Sequence, residues 1–221
     1  MSQHSEYHTW DMESGWSTIS AHRDLSFTLW FTGLPGTGKS TLALLVKKAL
    51  LARGYKVEII DAQVLTHWLN LKLQINEDIR QDNSHTPGYD AFITYICTIL
   101  ARNGIISITT SVSPYIEARS YAREQIHRFN EVYLYCPTAL RRRRKAQSES
   151  TFPIEAEALY EPPNAAELSL NTGEELPERS ALRLIAYLEL HGYIAPLCEE
   201  VITDEEIEGI KSRLQALGYL D

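Results

Sequence analysis

The run Gly33-Leu34-Pro35-Gly36-Thr37-Gly38-Lys39-Ser40 constrains this chain more than any other stretch. It has the spacing Gly-x4-Gly-Lys-Ser. An apolar, strand-like run (26–32) precedes it, and a run with helical spacing (39–53) follows it. Glycines let backbone N–H groups turn inward around phosphate oxygens. The following helix aims the positive end of its dipole at the same point. A lysine here can reach β- and γ-phosphates, and the serine hydroxyl suits Mg²⁺. The expected site for ATP is therefore Gly33, Leu34, Pro35, Gly36, Thr37, Gly38, Lys39 and Ser40, with Lys39 catalytic and Ser40 on the metal. A chance glycine-rich turn would lack the flanking strand and helix.

Elements downstream keep alternating. After the helix at 39–53, Gly54 marks a stop. Strands are expected at 56–60, 105–109 and 131–135, with a short last one at 168–170. Helices are expected at 64–73, 89–102, 113–128 and 177–190, with a basic one starting at 138–145. In the helix at 177–190, Leu182, Ile185, Ala186 and Leu188 form the expected core side. This alternation predicts an α/β, three-layer P-loop kinase fold with a mostly parallel central sheet. Ligands of such sheets bind beyond the carboxyl ends of the strands, so the loops after Thr32, Ile60, Thr109 and Tyr135 share one rim. Asp61 ends a strand on that rim. It could serve Mg²⁺ or take the proton of an attacking hydroxyl, or it could simply cap a helix.

Arg80 and Asn83 lie about one helical turn apart, as do Arg119 and Arg123. Guanidinium forks suit phosphate and sulfate oxygens, or else lie on solvated helix faces. The five cations from Arg141 to Lys145 fit a helix over the ATP phosphates, with most of them in solvent. His67, His85 and His127 form no ligand constellation, and Trp30 reads as packing.

Charge is divided unevenly along the chain. Residues 1–150 carry 17 Lys/Arg and 14 Asp/Glu, while residues 151–221 carry 4 and 15, which together make the net −8. A basic face fit for a nucleic-acid polymer is not expected. No run of about 18 apolar residues suggests a membrane span. Cys97, Cys136 and Cys198 lack metal-ligand spacing, so free thiols in a reducing cytoplasm are expected.

Several stretches together resemble the adenylyl-sulfate kinase family over roughly residues 29–192. They are Trp30-Phe31-Thr32 running into the glycine-rich loop, Asp78-Ile79-Arg80-Gln81-Asp82-Asn83, and Ser113-Pro114-Tyr115 with Arg119 and Arg123. Phe129-Asn130-Glu131-Val132-Tyr133 and Tyr160-Glu161-Pro162-Pro163 with Glu167, Leu168 and Thr172 complete the set. The resemblance implies ATP-dependent phosphorylation of the 3′-hydroxyl of adenosine 5′-phosphosulfate. It implies that Arg80 and Asn83 hold that substrate, with Ser113, Arg119 and Phe152 as further contacts. It also implies that the ATP site runs on to Thr41 and that Arg144 touches ATP. Ser113 matches a serine sometimes regarded as a phosphorylated intermediate in that family. In-line transfer needs no protein nucleophile, so a ligand contact is the preferred role. The sequence departs from the family pattern at Gln63, Thr66, Ile75, Ser84 and His85, and beyond Arg144 in a lid that shortens to Phe152. A kinase for another nucleotide-like acceptor, or a non-catalytic nucleotide-binding module, stays open.

The segments outside this stretch are a polar arm at 1–24 and a tail at 193–221, flanking a kinase domain at 25–192. In the tail, Ile207, Ile210, Leu214 and Leu217 recur at helical spacing. Such a stripe is expected to dock on its own domain or on a second subunit, as a homodimer would provide.

Overall fold

The computed structural model describes residues 26–73, 87–145 and 155–196. Five strands form one sheet, in spatial order β2-β3-β1-β4-β5. They are β1 (Thr28–Thr32), β2 (Val57–Asp61), β3 (Ile106–Thr110), β4 (Phe129–Tyr135) and β5 (Leu168–Asn171). Every pairing is parallel. The described helices are α1 (Lys39–Leu51), α2 (Ala62–Leu73), α3 (Pro87–Arg102), α4 (Ile116–Gln125), α5 (Thr138–Lys145) and α6 (Pro177–Leu190), with one 3-10 turn, Glu155–Leu159. Among the described residues no helix is long and apolar enough to cross a membrane.

A parallel sheet buried on both faces needs apolar side chains in both directions, and β1 supplies them. Leu29 and Phe31 join Ile106, Ile108, Val132 and Leu134 beneath α1 and α6. Trp30 points the other way, with Ile93, Cys97, Ala122 and Phe129 beneath α3 and α4. Thr28 and Ser107 are polar and fully buried, and their hydroxyls bond each other at 2.7 Å. That contact removes the cost of leaving either group unpaired.

Most element boundaries fall within one or two residues of the sequence reading; the exceptions have local causes. The helix expected at 113–128 is shorter, because Ser113 (φ 45) and Arg128 (φ 57) adopt left-handed backbone that breaks a right-handed helix. Leu182 and Ala186 do not face the core, and Leu182 is 69% exposed. The buried set is Ala181, Leu184, Ile185 and Leu188. Those residues follow i, i+3, i+4, i+7, whereas Leu182 lies one residue, about 100°, around the helix. Tyr193 and Ile194 also pack on the core, so the packed unit runs past residue 192. The arm at 1–24, the tail stripe from Ile207 to Leu217, Cys198, Ile75, Arg80, Asn83, Ser84, His85 and Phe152 lie outside the described residues.

The register decides what meets on the rim. Asp61 stands opposite Thr110, Thr110 opposite Phe31, and Thr32 opposite Tyr133.

Candidate active site

The loop between β1 and α1 turns through left-handed backbone at Gly33 (φ 142), Gly36 (φ 85) and Gly38 (φ 90). Two of these glycines are also required by space. A Cβ on Gly33 would lie 2.2 Å from the Leu134 carbonyl oxygen, and one on Gly36 would lie 2.5 Å from that of Arg141. Neither backbone neighbour can yield, so the loop is moulded against β4 and α5. Thr37 closes the turn by donating its hydroxyl to the Leu34 carbonyl at 2.8 Å. Thr172, just past β5, braces it from outside, donating to the Thr37 carbonyl at 2.8 Å.

Lys39 is only 9% exposed and points its ammonium into the loop, donating to the carbonyls of Gly33 (2.7 Å) and Leu34 (3.2 Å). Burial pulls its pKa down from 10.5 to about 8, against the pull of the Asp61 charge. Ser40 lies in the first turn of α1 and donates its hydroxyl to Asp61 Oδ2 at 3.0 Å. Thr110 donates to the same oxygen at 2.7 Å. Asp61 Oδ1 accepts the backbone N–H groups of Gln63 (3.0 Å) and Val64 (3.2 Å). Asp61 therefore caps α2, the structural reading of its place in the sequence, and at the same time holds the hydroxyls of Ser40 and Thr110.

The basic run on α5 sorts by helical phase. Arg141 is buried and forked onto Glu157, with both contacts at 2.8 Å. Arg144, one turn on, donates to the Thr172 hydroxyl and carbonyl at 3.2 and 3.0 Å. It therefore sits beside the brace of the phosphate loop. Arg142 and Arg143 are exposed.

The residues after β3 are tied into the protein's own hydrogen-bond network. Ser113 is fully buried, and its hydroxyl donates to Asp90 Oδ2 at 2.8 Å. Arg119 directs Nε to Glu131 (2.6 Å), Nη1 to the Ser113 carbonyl (2.6 Å) and Nη2 to the Glu161 carbonyl (2.7 Å). Arg123 pairs with Glu167 and Glu131 and covers the Phe129 ring at 4.8 Å. All three side chains are committed to protein groups and form the frame under the rim. Tyr160 joins that frame at the Thr32 hydroxyl (3.0 Å).

Because Arg119 holds a buried carboxylate, Arg119→Ala is expected to cost about 3 kcal/mol by leaving Glu131 poorly compensated. Thermal melts should fall by roughly 6–12 °C. The second partner, Arg123 at 3.4 Å from Glu131, places the loss toward the lower end. An unchanged melt with weakened acceptor binding would return Arg119 to the role of a substrate contact.

Thr110 and Asp90 were not singled out from the sequence, and Thr172 entered only as part of the family resemblance, without a role. Thr110 ends β3 and Thr172 follows an edge strand, positions that carry no chemical mark of their own. Asp90 looks like an ordinary acid in the first turn of a helix. Only their distant partners reveal them.

Three comparisons with known proteins agree with this architecture. The family model described as adenylylsulphate kinase matches residues 25–171. A probable adenylyl-sulfate kinase of Pyrococcus abyssi is 33% identical over 176 residues, covering 76% of this chain and 98% of that protein. The adenylyl-sulfate kinase of Halothermothrix orenii is 34% identical, covering 76% and 91%. Among solved structures, an APS kinase of Mycobacterium tuberculosis in complex with AMPPNP and APS superposes with a TM-score of 0.60. It is 28% identical and covers 74% of this chain and 98% of that one. With the phosphate loop, the all-parallel sheet and these relatives in agreement, the chain belongs to the adenylylsulphate kinase family of P-loop kinases.

Proposed function

We propose that this protein transfers the γ-phosphate of ATP to the 3′-hydroxyl of adenosine 5′-phosphosulfate or of a closely similar nucleotide, in the cytoplasm and with Mg²⁺. The observation that carries this reading is the contact between Ser40 and Asp61, at 3.0 Å, immediately beside a buried Lys39.

The roles follow from hydrogen-bond directions. Ser40 gives its only proton to Asp61, so its lone pairs face outward and suit a hard cation. Among the described residues no group of three or more His, Cys, Asp or Glu could hold a metal by itself. That fits Mg²⁺, which takes one or two protein oxygens and completes its shell with phosphates and water. When bound, the ion supplies charge compensation on the β- and γ-oxygens.

Asp61 uses all its lone-pair directions: two for the N–H groups of α2 and two for the hydroxyls of Ser40 and Thr110. None remains aimed at an incoming hydroxyl, which favours a role in orienting Ser40 over that of a general base. Lys39 exchanges the carbonyls of Gly33 and Leu34 for phosphate oxygens and follows the charge onto the leaving β-phosphate. In the transfer the acceptor oxygen bonds to the γ-phosphorus as the bond to the bridging oxygen breaks, and no protein atom needs to carry the phosphoryl group. The burial of Ser113 is in keeping with that.

Purified protein with ATP and Mg²⁺ should convert adenosine 5′-phosphosulfate to a 3′-phosphorylated product, with one ADP per product. A panel of other nucleotides tests the breadth of the acceptor site. Tight ATP binding with no ADP formed on any acceptor would make the chain a non-catalytic nucleotide-binding module.

A further inference from the structure

Ser113 carries φ 45 and is followed by Pro114. Left-handed backbone is uncommon for a residue with a Cβ, and the residue before proline is normally driven to extended geometry. Such a conformation persists only where its surroundings over-determine it, and it clusters at ligand clamps. Here every polar atom of Ser113 is engaged. Its hydroxyl donates to Asp90 Oδ2 (2.8 Å), and its N–H donates to the Ser111 hydroxyl (3.2 Å), which donates onward to Asp90 Oδ1 (3.4 Å). Its carbonyl accepts from Arg119 (2.6 Å). The same carbonyl also takes a longer contact from the Thr32 hydroxyl (3.5 Å), and two of the four ties end on one carboxyl group.

Asp90 lies in the first turn of α3 and is fully buried. Burial raises its pKa from 3.8 to about 7, against the two serine hydroxyls and the Arg119 charge, which lower it. A buried carboxylate is a costly way to join a helix to a loop if joining were its only purpose. Its position suggests the purpose. The loop it clamps follows β3 on the rim, beside Thr32, whose hydroxyl donates to the Val112 carbonyl at 2.7 Å.

We propose that Asp90 is a positioning residue of the acceptor side, holding Ser113 in its left-handed conformation and thereby setting the spacing between the start of α3 and the β3 loop. This inference rests on the proposed function, with the acceptor on the β3 side of the phosphate loop, across β1 from Arg144 and Thr172. Asp90 touches neither substrate; it acts through Ser111 and Ser113.

Steady-state kinetics of the full chain separate this role from general stabilisation. With adenosine 5′-phosphosulfate as the varied substrate, Asp90→Ala should raise the acceptor KM by about tenfold or more, through loss of both clamp bonds. The KM for ATP should stay within about twofold, because among the described residues neither Asp90 nor Ser111 bonds the phosphate loop, whose nearest tie is Thr32 to the carbonyls after β3. Asp90→Asn should recover the acceptor KM to within about threefold of wild type. Its amide oxygen can accept from Ser113, and its NH₂ can donate to Ser111. If Asp90→Ala fails to fold, Ser111→Ala cuts one branch of the clamp and should still raise the acceptor KM by about threefold. An unmoved acceptor KM, or KM values for ATP and acceptor rising in parallel, would overturn the positioning role. A wild-type protein with no turnover on any acceptor would overturn the proposed function and this inference together.

Discussion

Replacing Lys39 with methionine should lower kcat by about a thousandfold while making the protein harder to melt. The two effects share one cause. The ammonium is held in a buried loop, where its folded-state pKa of about 8 lies below the ordinary 10.5. At neutral pH the charged form is thus disfavoured by folding, and methionine removes that penalty. As pH rises from about 8 toward 10.5, the wild type should gain stability relative to its value at pH 7, because the folded state sheds the proton first. The methionine variant should lack that gain. The same buried charge is what meets the γ-phosphate as negative charge moves onto the leaving group, so the stabilising change is also the inactivating one. Melts across this pH range, paired with single-turnover rates, measure both. Near wild-type kinetics would end the phosphotransferase reading. A lower melting temperature would show that the contacts with the Gly33 and Leu34 carbonyls outweigh the cost of burial.

Asp61→Asn should reduce the rate by about a hundredfold or more with little change in the KM for ATP. The Asn side chain remains a good helix cap, so α2 should keep its start. What it loses is the carboxylate oxygen that receives Ser40 and Thr110. An amide nitrogen at that place would face two hydroxyl donors, and Ser40 would turn away from the metal position. A higher Mg²⁺ requirement should accompany the lower rate. Asp61→Ala should add a loss of about 1 kcal/mol of stability from the missing cap. The difference between the two variants therefore separates the structural use of this residue from the chemical one. A silent Asp61→Asn would move the metal role to another carboxylate.

Much of this architecture was legible before any coordinates. The glycine spacing demands a turn of left-handed backbone, and the runs on either side can form only a strand and a helix. Asp61 was placed on the rim because strand ends of a parallel sheet share one edge. Pro177 lies in the first turn of α6, where its missing N–H costs nothing. These features depend on neighbours within a few residues, so local stereochemistry settles them. The misjudged core face of α6 is a smaller matter of phase, since two overlapping apolar sets at 181–188 differ by one residue and only contact with α1 selects between them.

The sequence alone could not distribute the charged and hydroxyl groups. Arg119, Arg123 and Ser113 carry the residue types expected of an anion site, yet their donors meet Glu131, Glu161, Glu167 and Asp90, which are 8 to 44 positions away in the chain. Arg141 and Arg144 are identical in sequence terms to Arg142 and Arg143 beside them. Packing separates them, because only one side of a short helix can reach Glu157 and Thr172. A guanidinium binds whichever carboxylate or carbonyl is brought within about 3 Å, with the same chemistry in a ligand site or a structural frame. The local pattern of this chain determined its phosphate loop, its alternating elements and its family. Which of its polar groups stay free to meet a substrate was decided only when the tertiary structure brought distant partners together, because a hydrogen bond depends on distance in space and not on separation along the chain.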